Sequence, residues 1–267
     1  MPINNRIWNE VNNMTDAIAP SRNNVPAIET FQLSKIFPPD ILAVNRLNLK
    51  IQQGVVHALV GPNGAGKTTT LRLLAGLSRP NRGSIFIMGY DMLRESWQAK
   101  AHLGFLPDTP AAYETLRVDE FLRFIASLYQ VPKTDFEERR EQYVRRFDMA
   151  GYVNKYLGEL SRGMLQRTLL CGLLIRNPKI LVMDEPLYGL DPEGGYVLKR
   201  IIREVAQNGT TVLISTHILS VAEEICDEFT IISEGVKVAS ESVRDLREKV
   251  GSGNNLEDYY INTLQGR

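Results

Sequence analysis

A glycine-rich segment early in the chain has the residue types and spacing of a phosphate-binding loop. Its residues are Gly61, Pro62, Asn63, Gly64, Ala65, Gly66, Lys67, Thr68 and Thr69, and they match the pattern G-x-x-x-x-G-K-[ST]. Glycines let the backbone curl so that successive N–H groups converge on phosphate oxygens, and the N-terminus of a following helix adds partial positive charge. We expect the Lys67 ammonium to bind the β- and γ-phosphates of a nucleotide and the Thr68 hydroxyl to ligate Mg²⁺.

An acidic pair ends an apolar run in the second half of the chain. Residues 180–183 are apolar and are followed directly by Asp184 and Glu185. A phosphate-loop enzyme needs a carboxylate at a strand end to hold Mg²⁺, and Asp184 fits that role. Glu185 can orient or deprotonate an attacking water. By itself such a pair more often caps a helix or lies in a solvated turn, but the phosphate-binding loop favours the metal and water roles.

A histidine follows another apolar run. His217 comes just after the predicted strand 210–215 and is expected at the same sheet edge as the acidic pair. A neutral imidazole there could donate to a γ-phosphate, so His217 joins Lys67 and Glu185 as a candidate catalytic residue. Lone histidines are more often structural than catalytic, and we assign His57 and His102 to structural roles.

Hydrophobic periodicity indicates the elements that position these residues. Residues 55–60 form a short apolar run typical of a buried parallel strand, and a helix is predicted from about residue 66 to 75. After residue 178 strands and helices alternate, which predicts a mostly parallel sheet with helices on both faces. The predicted strands of that part are 179–183, 210–215 and 229–233, and the predicted helices are 193–206 and 219–226.

The preceding regions have different patterns. Residues 27–33 and 43–53 alternate apolar and polar residues like antiparallel, half-exposed strands, and residues 84–88 predict a further strand. Residues 109–159 show no strand pattern but two apolar helical stripes. The sequence therefore predicts an α/β fold: a core of mostly parallel sheet, an antiparallel β subdomain and a helical insertion.

Both ends of the chain are polar. We predict that residues 1–26 are an extension outside the fold, that residues 27–240 form one domain with its helical part at about 109–159, and that residues 241–267 form a C-terminal helix and a polar tail. The tail is placed at residues 250–267. Apolar residues at helical spacing leave open a short docking helix in the extension; they are Ile7, Val11, Met14 and Ile18.

Composition and charge restrict the class of protein. Lys plus Arg and Asp plus Glu are 31 each, so the formal net charge is zero, which argues against a broad basic surface for nucleic acid. An apolar content of 43% in 267 residues supports a sizeable core. No apolar run approaches the roughly 18–20 residues of a membrane span, and residues 1–20 lack a secretory signal. Cys171 and Cys226 are typical of core thiols in a reducing compartment, so we expect a cytoplasmic protein.

Several motifs in one order resemble the ATP-binding subunits of ABC transporters. The likeness covers about residues 27–240, and its variants are most similar to the exporter-type branch. The matching residues are 160–164 (LSRGM, the signature sequence), 189–192 (GLDP, the D-loop), His217 (the switch histidine), Phe37 (the aromatic residue that stacks on adenine) and 103–108 (the segment leading into the helical insertion).

The resemblance implies a P-loop NTPase core, ATP with Mg²⁺, and a dimer. Two such subunits pack head to tail, so that ATP held by residues 61–69 of one is closed over by Ser161 and Gly163 of the other, with Asp191 of the D-loop beside it. Asp108 is implied as a Mg²⁺ ligand together with Thr68 and Asp184. ATP then joins the dimer and hydrolysis releases it, a population shift to which a partner can couple.

Three residues depart from the pattern that this resemblance implies. Asp108 stands where the family often has glutamine, and it is shorter and charged. Arg162 replaces a signature glycine, so its side chain must point away from the phosphates or assist them as an added cation. Tyr188 replaces the usual small residue before the D-loop glycine, which predicts altered communication across the dimer.

The favoured function is the ATPase of an exporter that energises a separate integral membrane permease, as a homodimer or a heterodimer on the cytoplasmic face of the membrane. Residues 109–159 would carry the docking surface, with Tyr113 and residues 116–121 near the contact, although packing on the core explains any one of these apolar residues more simply. The substrate stays open.

Two alternatives are disfavoured. A soluble ABC ATPase acting on ribosomes or DNA is opposed by the single copy of the motifs, by the 100 residues between Gly61 and Ser161, and by the neutral charge. The prediction is therefore no nucleic-acid partner. A regulator without turnover is opposed by the presence of Lys67 and Glu185.

Overall fold

Two β-sheets with packed helices make up the computed structural model, which describes residues 25–250 and 256–265. The strands are β1 Ile28–Phe37, β2 Ile41–Leu47, β3 Lys50–Ile51, β4 Val56–Val60, β5 Arg82–Ile87, β6 Tyr90–Asp91, β7 Leu103–Leu106, β8 Ile180–Asp184, β9 Thr211–Thr216, β10 Glu228–Ser233 and β11 Val236–Ser242. The helices are α1 Lys67–Leu74, α2 Ser96–Ala101, α3 Val118–Leu128, α4 Lys133–Arg146, α5 Arg162–Arg176, α6 Pro192–Gln207, α7 Leu219–Ile225, α8 Val243–Val250 and α9 Leu256–Gln265.

The larger sheet has the strand order β11-β10-β4-β9-β8-β7. The strands from β10 to β7 are mutually parallel, and β11 pairs antiparallel with β10. Val60 at the end of β4 pairs with Thr216, and Asp184 at the end of β8 pairs with Ser215. The predicted parallel sheet is confirmed, and its register brings the carboxyl ends of three central strands to one level.

Both faces of the parallel strands are buried, because successive side chains of a strand point to opposite faces. One face packs against α1 and the antiparallel sheet, and it includes Leu59, Val182 and Leu213. The other face packs against α5, α6 and the helical insertion, and it includes Leu181, Met183 and Ile214. A one-residue slip of a strand would exchange these two sets, so packing holds the register.

The smaller sheet is antiparallel, with the order β2-β1-β5-β6 and β3 paired to β1. The predicted strands of this region are present, and their pairing is antiparallel as predicted. They differ in extent, because β1 continues to Phe37 and the second predicted strand divides into β2 and β3.

The helical insertion is confirmed by α3 and α4. Asp119 of α3 pairs with Arg123 at 2.8 Å and with Arg140 of α4, so one carboxylate joins both helices. Gly172 of α5 allows α3 to approach closely, since a Cβ there would lie 3.2 Å from the Phe121 ring.

The predicted polar tail over residues 250–267 is wrong for Leu256–Gln265, which form α9, and β11 extends past residue 240. Tertiary contacts supply what the local pattern lacks: the Tyr259 ring meets Phe229 edge to face at 6.0 Å, and the Tyr259 hydroxyl donates to Glu241 at 3.0 Å. The apolar residues of the predicted docking helix, numbers 7 to 18, lie outside the described residues.

Two smaller predictions concern the cysteines and a membrane span. Cys171 and Cys226 are buried and unpaired, and burial raises the pKa of both thiols, which confirms them as core residues. Among the described helices, none has both the length and the apolar character required to cross a membrane.

Leu213 lies fully buried at the centre of the larger sheet. We expect Leu213→Ala to lower the free energy of unfolding by about 2–5 kcal/mol, because it removes buried methyl groups and leaves a cavity. Equilibrium urea unfolding measures the change. Leu128→Ala, at a largely exposed position of α3, is the control. Equal stability of the two variants would contradict the buried position of Leu213.

Candidate functional site

The phosphate-binding loop connects β4 to α1 and requires glycine at two positions. Gly66 has φ +99°, and a Cβ there would lie 2.3 Å from the carbonyl oxygen of Ala43. A Cβ on Gly61 would lie 2.3 Å from the carbonyl oxygen of Ile232. The close neighbours exclude a side chain at both positions, and the left-handed backbone of Gly66 disfavours one as well. The loop therefore curls tightly between β2 and the end of β10.

Lys67 is buried within this curl. Its Nζ donates to the carbonyl oxygens of Gly61 at 2.7 Å and Pro62 at 3.2 Å. Burial lowers the pKa of Lys67, while the nearby carboxylates of Glu185 and Asp184 oppose the shift by favouring the charged form. The ammonium therefore lies inside the loop, where a phosphate would meet it.

Asp184 ends β8 and is 1% exposed. Its Oδ1 accepts from the Ser215 hydroxyl, whereas Oδ2 is buried without a hydrogen-bond partner among the described residues. A carboxylate oxygen left in that state fits a hard cation, and Mg²⁺ commonly uses one or two protein oxygens together with phosphates and water. Thr68, half-buried in the first turn of α1, is the second predicted ligand.

Glu185 lies between the other two predicted catalytic residues. Its Oε1 is 2.9 Å from His217 Nδ1 and 3.8 Å from Lys67 Nζ. The backbone of Glu185 has φ +45°, an unfavourable conformation for a residue with a side chain. The structure thus brings Lys67, Glu185 and His217 together.

Ser215 forms hydrogen bonds with both acidic residues, and the sequence did not identify it as a site residue. It donates to Asp184 and accepts from the Glu185 N–H at 2.9 Å. A polar residue near the carboxyl end of an apolar strand next to the acidic strand was the available signal. Only the sheet order shows that Ser215 lies directly opposite Asp184.

Ser161, Gly163 and Asp191 form a second group, which lies at the starts of helices α5 and α6. Ser161 caps α5, as predicted, and accepts from the Met164 N–H at 3.3 Å. Asp191 caps α6, and the hydrogen bond from the Gly194 N–H, with help from Arg167, lowers the pKa of Asp191. A Cβ added to Gly163 would lie 2.8 Å from the carbonyl oxygen of Gly189, so the start of α5 touches the segment before Asp191.

Phe37 and Asp108 are the remaining predicted site residues. Phe37 ends β1 with its ring partly exposed, and the Lys35 ammonium lies 5.1 Å from the ring centroid. The Asp108 carboxylate faces Arg72 of α1, with Oδ1 3.6 Å from Nη2. The adenine contact of Phe37 and the Mg²⁺ contact of Asp108 stay predictions.

The other histidines have structural surroundings. His57 is buried in β4 with Nε2 2.9 Å from the Thr230 hydroxyl. His102 stacks on Tyr90 at 5.5 Å. Neither contact involves the phosphate-binding loop.

Comparison with known proteins explains this arrangement. A family model described as "ABC transporter" matches residues 44–188, more than half of the chain. The chain belongs to the ABC transporter family. Within it, the chain is 34% identical over 230 residues to an ABC transporter ATP-binding protein of Synechocystis sp., covering 82% of this chain and 64% of that relative, which is under two thirds of its length.

Two further matches cover more of their counterparts. A Nod factor export ATP-binding protein of Cupriavidus pinatubonensis is 32% identical over 252 residues, or 92% of this chain and 78% of the relative. A solved ATP-binding subunit of an ABC transporter superposes with a TM-score of 0.84 at 30% identity, covering 89% of this chain and 99% of that chain.

The ABC family match confirms the resemblance and the P-loop fold predicted from the sequence. The relatives are ABC transporter ATP-binding proteins, which agrees with the predicted ATPase activity and with ATP and Mg²⁺ as its cofactors. The alternative of an ABC ATPase acting on ribosomes or DNA is not favoured, because the relatives are named for transport.

Replacing Ser215 tests its support of the acidic pair. We expect Ser215→Ala to lower kcat at least about fivefold and to raise the Mg²⁺ concentration needed for half-maximal activity, since an unpaired buried group costs about 1–3 kcal/mol. Steady-state ATPase assays over a Mg²⁺ series measure both effects. Ser84→Ala is the control, because the buried Ser84 hydroxyl has no hydrogen-bond partner among the described residues. Equal kinetics in both variants would contradict the role of Ser215.

Proposed function

We propose that this chain is the ATP-hydrolysing subunit of an exporter-type ABC transporter, which couples ATP-driven head-to-tail dimerisation to export by a separate integral membrane permease. The observation that carries the proposal is the position of the Glu185 carboxylate between Lys67 and His217, at the end of the phosphate-binding loop. The export relative supports the direction of transport.

Each residue of the first group has a distinct task. Lys67, with the loop N–H groups of residues 61–69, would bind the phosphates, and Thr68 and Asp184 would hold Mg²⁺, which neutralises phosphate charge. Glu185 would accept the proton of the attacking water, and His217 would donate to the γ-phosphate. The 2.9 Å contact between Glu185 and His217 Nδ1 positions both groups before ATP arrives.

A second ATPase chain would complete the site. Ser161, Gly163 and Asp191 are held by α5 and α6, whereas Lys67 and Glu185 are held by the loop and β9. The start of a 15-residue helix capped by a serine presents N–H groups and a hydroxyl suited to phosphate. The proposal allows a homodimer or a heterodimer with a related ATPase.

A variant that binds ATP without hydrolysing it tests the dimer and the base together. We expect Glu185→Gln to lower kcat at least about 100-fold, in line with the loss of a general base, and to accumulate as a dimer with ATP and Mg²⁺. Gel filtration and ATPase assays measure these effects. Lys67→Ala should be inactive and monomeric under the same conditions, because it loses phosphate binding. Wild-type turnover in Glu185→Gln would show that another residue positions the water.

A groove of about 390 Å³ between the helical insertion and the sheet is the proposed permease contact. The groove is lined by Phe121 and Ile125 of α3, by Leu103 and Pro107, and by the largely exposed Leu77. Of the predicted contact residues, Phe121 lines this groove although its side chain is mostly buried, and Val118 is buried in the core.

The groove is apolar with a cationic edge formed by Lys100 and Arg176. The Arg176 guanidinium lies 3.7 Å from the Tyr129 ring centroid and donates to the carbonyl oxygens of Lys100 and Ala101. This surface suits a short permease segment with apolar side chains and an acidic group, and it would hold the ATPase peripherally at the cytoplasmic face of the membrane.

A charge placed in the groove tests this contact. Leu77 is 66% exposed, so we expect Leu77→Glu to fold normally and to retain the ATPase activity of the isolated subunit. The amount of this variant that co-purifies with membranes should fall at least about tenfold. Quantitative mass spectrometry after mild detergent extraction identifies and counts the captured permease. Ile261→Glu, at an exposed position of α9, is the matched control. Equal capture by both variants would place the permease contact elsewhere.

A further inference from the structure

Three residues that depart from the family pattern meet at one place. Arg162, the first residue of α5, donates from Nη2 to the carbonyl oxygen of Asp108 at 3.2 Å. The same guanidinium lies 5.0 Å from the ring centroid of Tyr188. Because a planar guanidinium can stack on a ring and donate within its plane at once, one side chain joins both neighbours. A glycine at position 162 could make neither contact.

The two neighbours connect Arg162 to two parts of the candidate site. The Asp108 carboxylate is 3.6 Å from Arg72 of α1, the helix that follows the phosphate-binding loop. The Tyr188 N–H donates to the carbonyl oxygen of Glu185 at 3.0 Å, which closes the turn that carries Glu185. Arg162 therefore links the Glu185 turn to the segment that is paired with α1.

The start of α5 holds the segment after Glu185 at further points. Gln166 donates from Nε2 to the carbonyl oxygen of Pro186 at 2.6 Å, and Arg167 pairs with Asp191. Arg162 and Gln166 are one turn apart and share a helix face. Tyr188 is 59% exposed, so the guanidinium supplies a contact that burial does not.

We propose that Arg162 is a positioning residue for ATP hydrolysis, which acts by stacking on Tyr188 and so holding the Glu185 turn in place. The inference rests on the proposed ATPase function. Glu185 has a left-handed backbone and needs its neighbours to keep that conformation. A carboxylate that moves by about 1 Å can lose about 100-fold in rate, so the turn has to be held. Arg162 does not touch the reacting atoms in this role.

A double-mutant cycle tests the pair. The variants are Arg162→Ala, Tyr188→Leu and their combination, with Arg162→Lys and Tyr188→Phe as conservative changes. We expect each disruptive single variant to lower kcat about three- to tenfold with KM for ATP within about twofold. The combination should fall no further than about twofold below either single variant, because the two residues act through one contact. Tyr188→Phe keeps the ring and should recover most of the activity lost in Tyr188→Leu.

Two controls separate positioning from folding. Arg200→Ala removes another guanidinium that lies over a tyrosine, 5.9 Å from the Tyr196 ring, and should leave kcat unchanged. The urea concentration at the midpoint of unfolding should be the same for all variants as for the wild type. Hydrogen exchange without ATP gives a readout independent of turnover: the amides of residues 188–190 should exchange faster in Arg162→Ala and in Tyr188→Leu, and at the wild-type rate in Arg200→Ala.

Specific results would overturn the inference. A higher KM with unchanged kcat in Arg162→Ala would assign Arg162 to phosphate contact, as an added cation. If the decreases in kcat of the two single variants multiplied in the double variant, the two residues would act independently. That result, or unchanged hydrogen exchange of the amides of residues 188–190, would show that the stacking does not hold the turn. If wild type and Lys67→Ala were equally inactive, the proposed ATPase function would fail, and the exchange comparison would still decide whether Arg162 holds Tyr188.

Discussion

The parallel register of β4, β9 and β8 is the constraint on which the site depends. Val60 pairs with Thr216 and Asp184 with Ser215, so these strands finish at one level. The phosphate-binding loop, the acidic pair and His217 all leave the sheet there, at the edge where parallel sheets place their ligands. Since both faces of the strands are buried, a one-residue slip of a strand would move its side chains from one hydrophobic core into the other. Side chains far from the site therefore determine its geometry.

Within that frame, the charges of the site stabilise one another. Lys67 is a buried cation, which is unfavourable alone. The Glu185 and Asp184 carboxylates oppose the effect of its desolvation, which still lowers the pKa of Lys67. Ser215 supplies a hydrogen bond to one acid and receives one from the backbone of the next. A carboxylate oxygen of Asp184 is left for a cation. The arrangement thus fits the phosphate and Mg²⁺ roles proposed for these residues.

Helix α5 connects the nucleotide site to the groove. Its first turns hold residues 186–191, and its last residue, Arg176, donates to the backbone of residues 100–103 beside the groove. With 15 residues the helix spans about 22 Å. Gly172 lets α3 pack closely against it, so the helical insertion and α5 form one unit. A displacement at either end of α5 has a direct mechanical route to the other.

The sequence by itself determined the chemistry and the order of the elements. The phosphate-binding loop, the acidic pair and the alternation of strands and helices are local signals, because they depend on spacing along the chain. Ser215, the Arg162–Tyr188 contact and helix α9 were decided by tertiary structure. Ser215 gains its role from the strand order. Arg162 contacts Asp108 and Tyr188, which are 54 and 26 positions away along the chain. Helix α9 is held by the packing of Tyr259 on Phe229. Spacing along the chain carries no information about such pairings, which exist only once the sheet register has brought distant segments together.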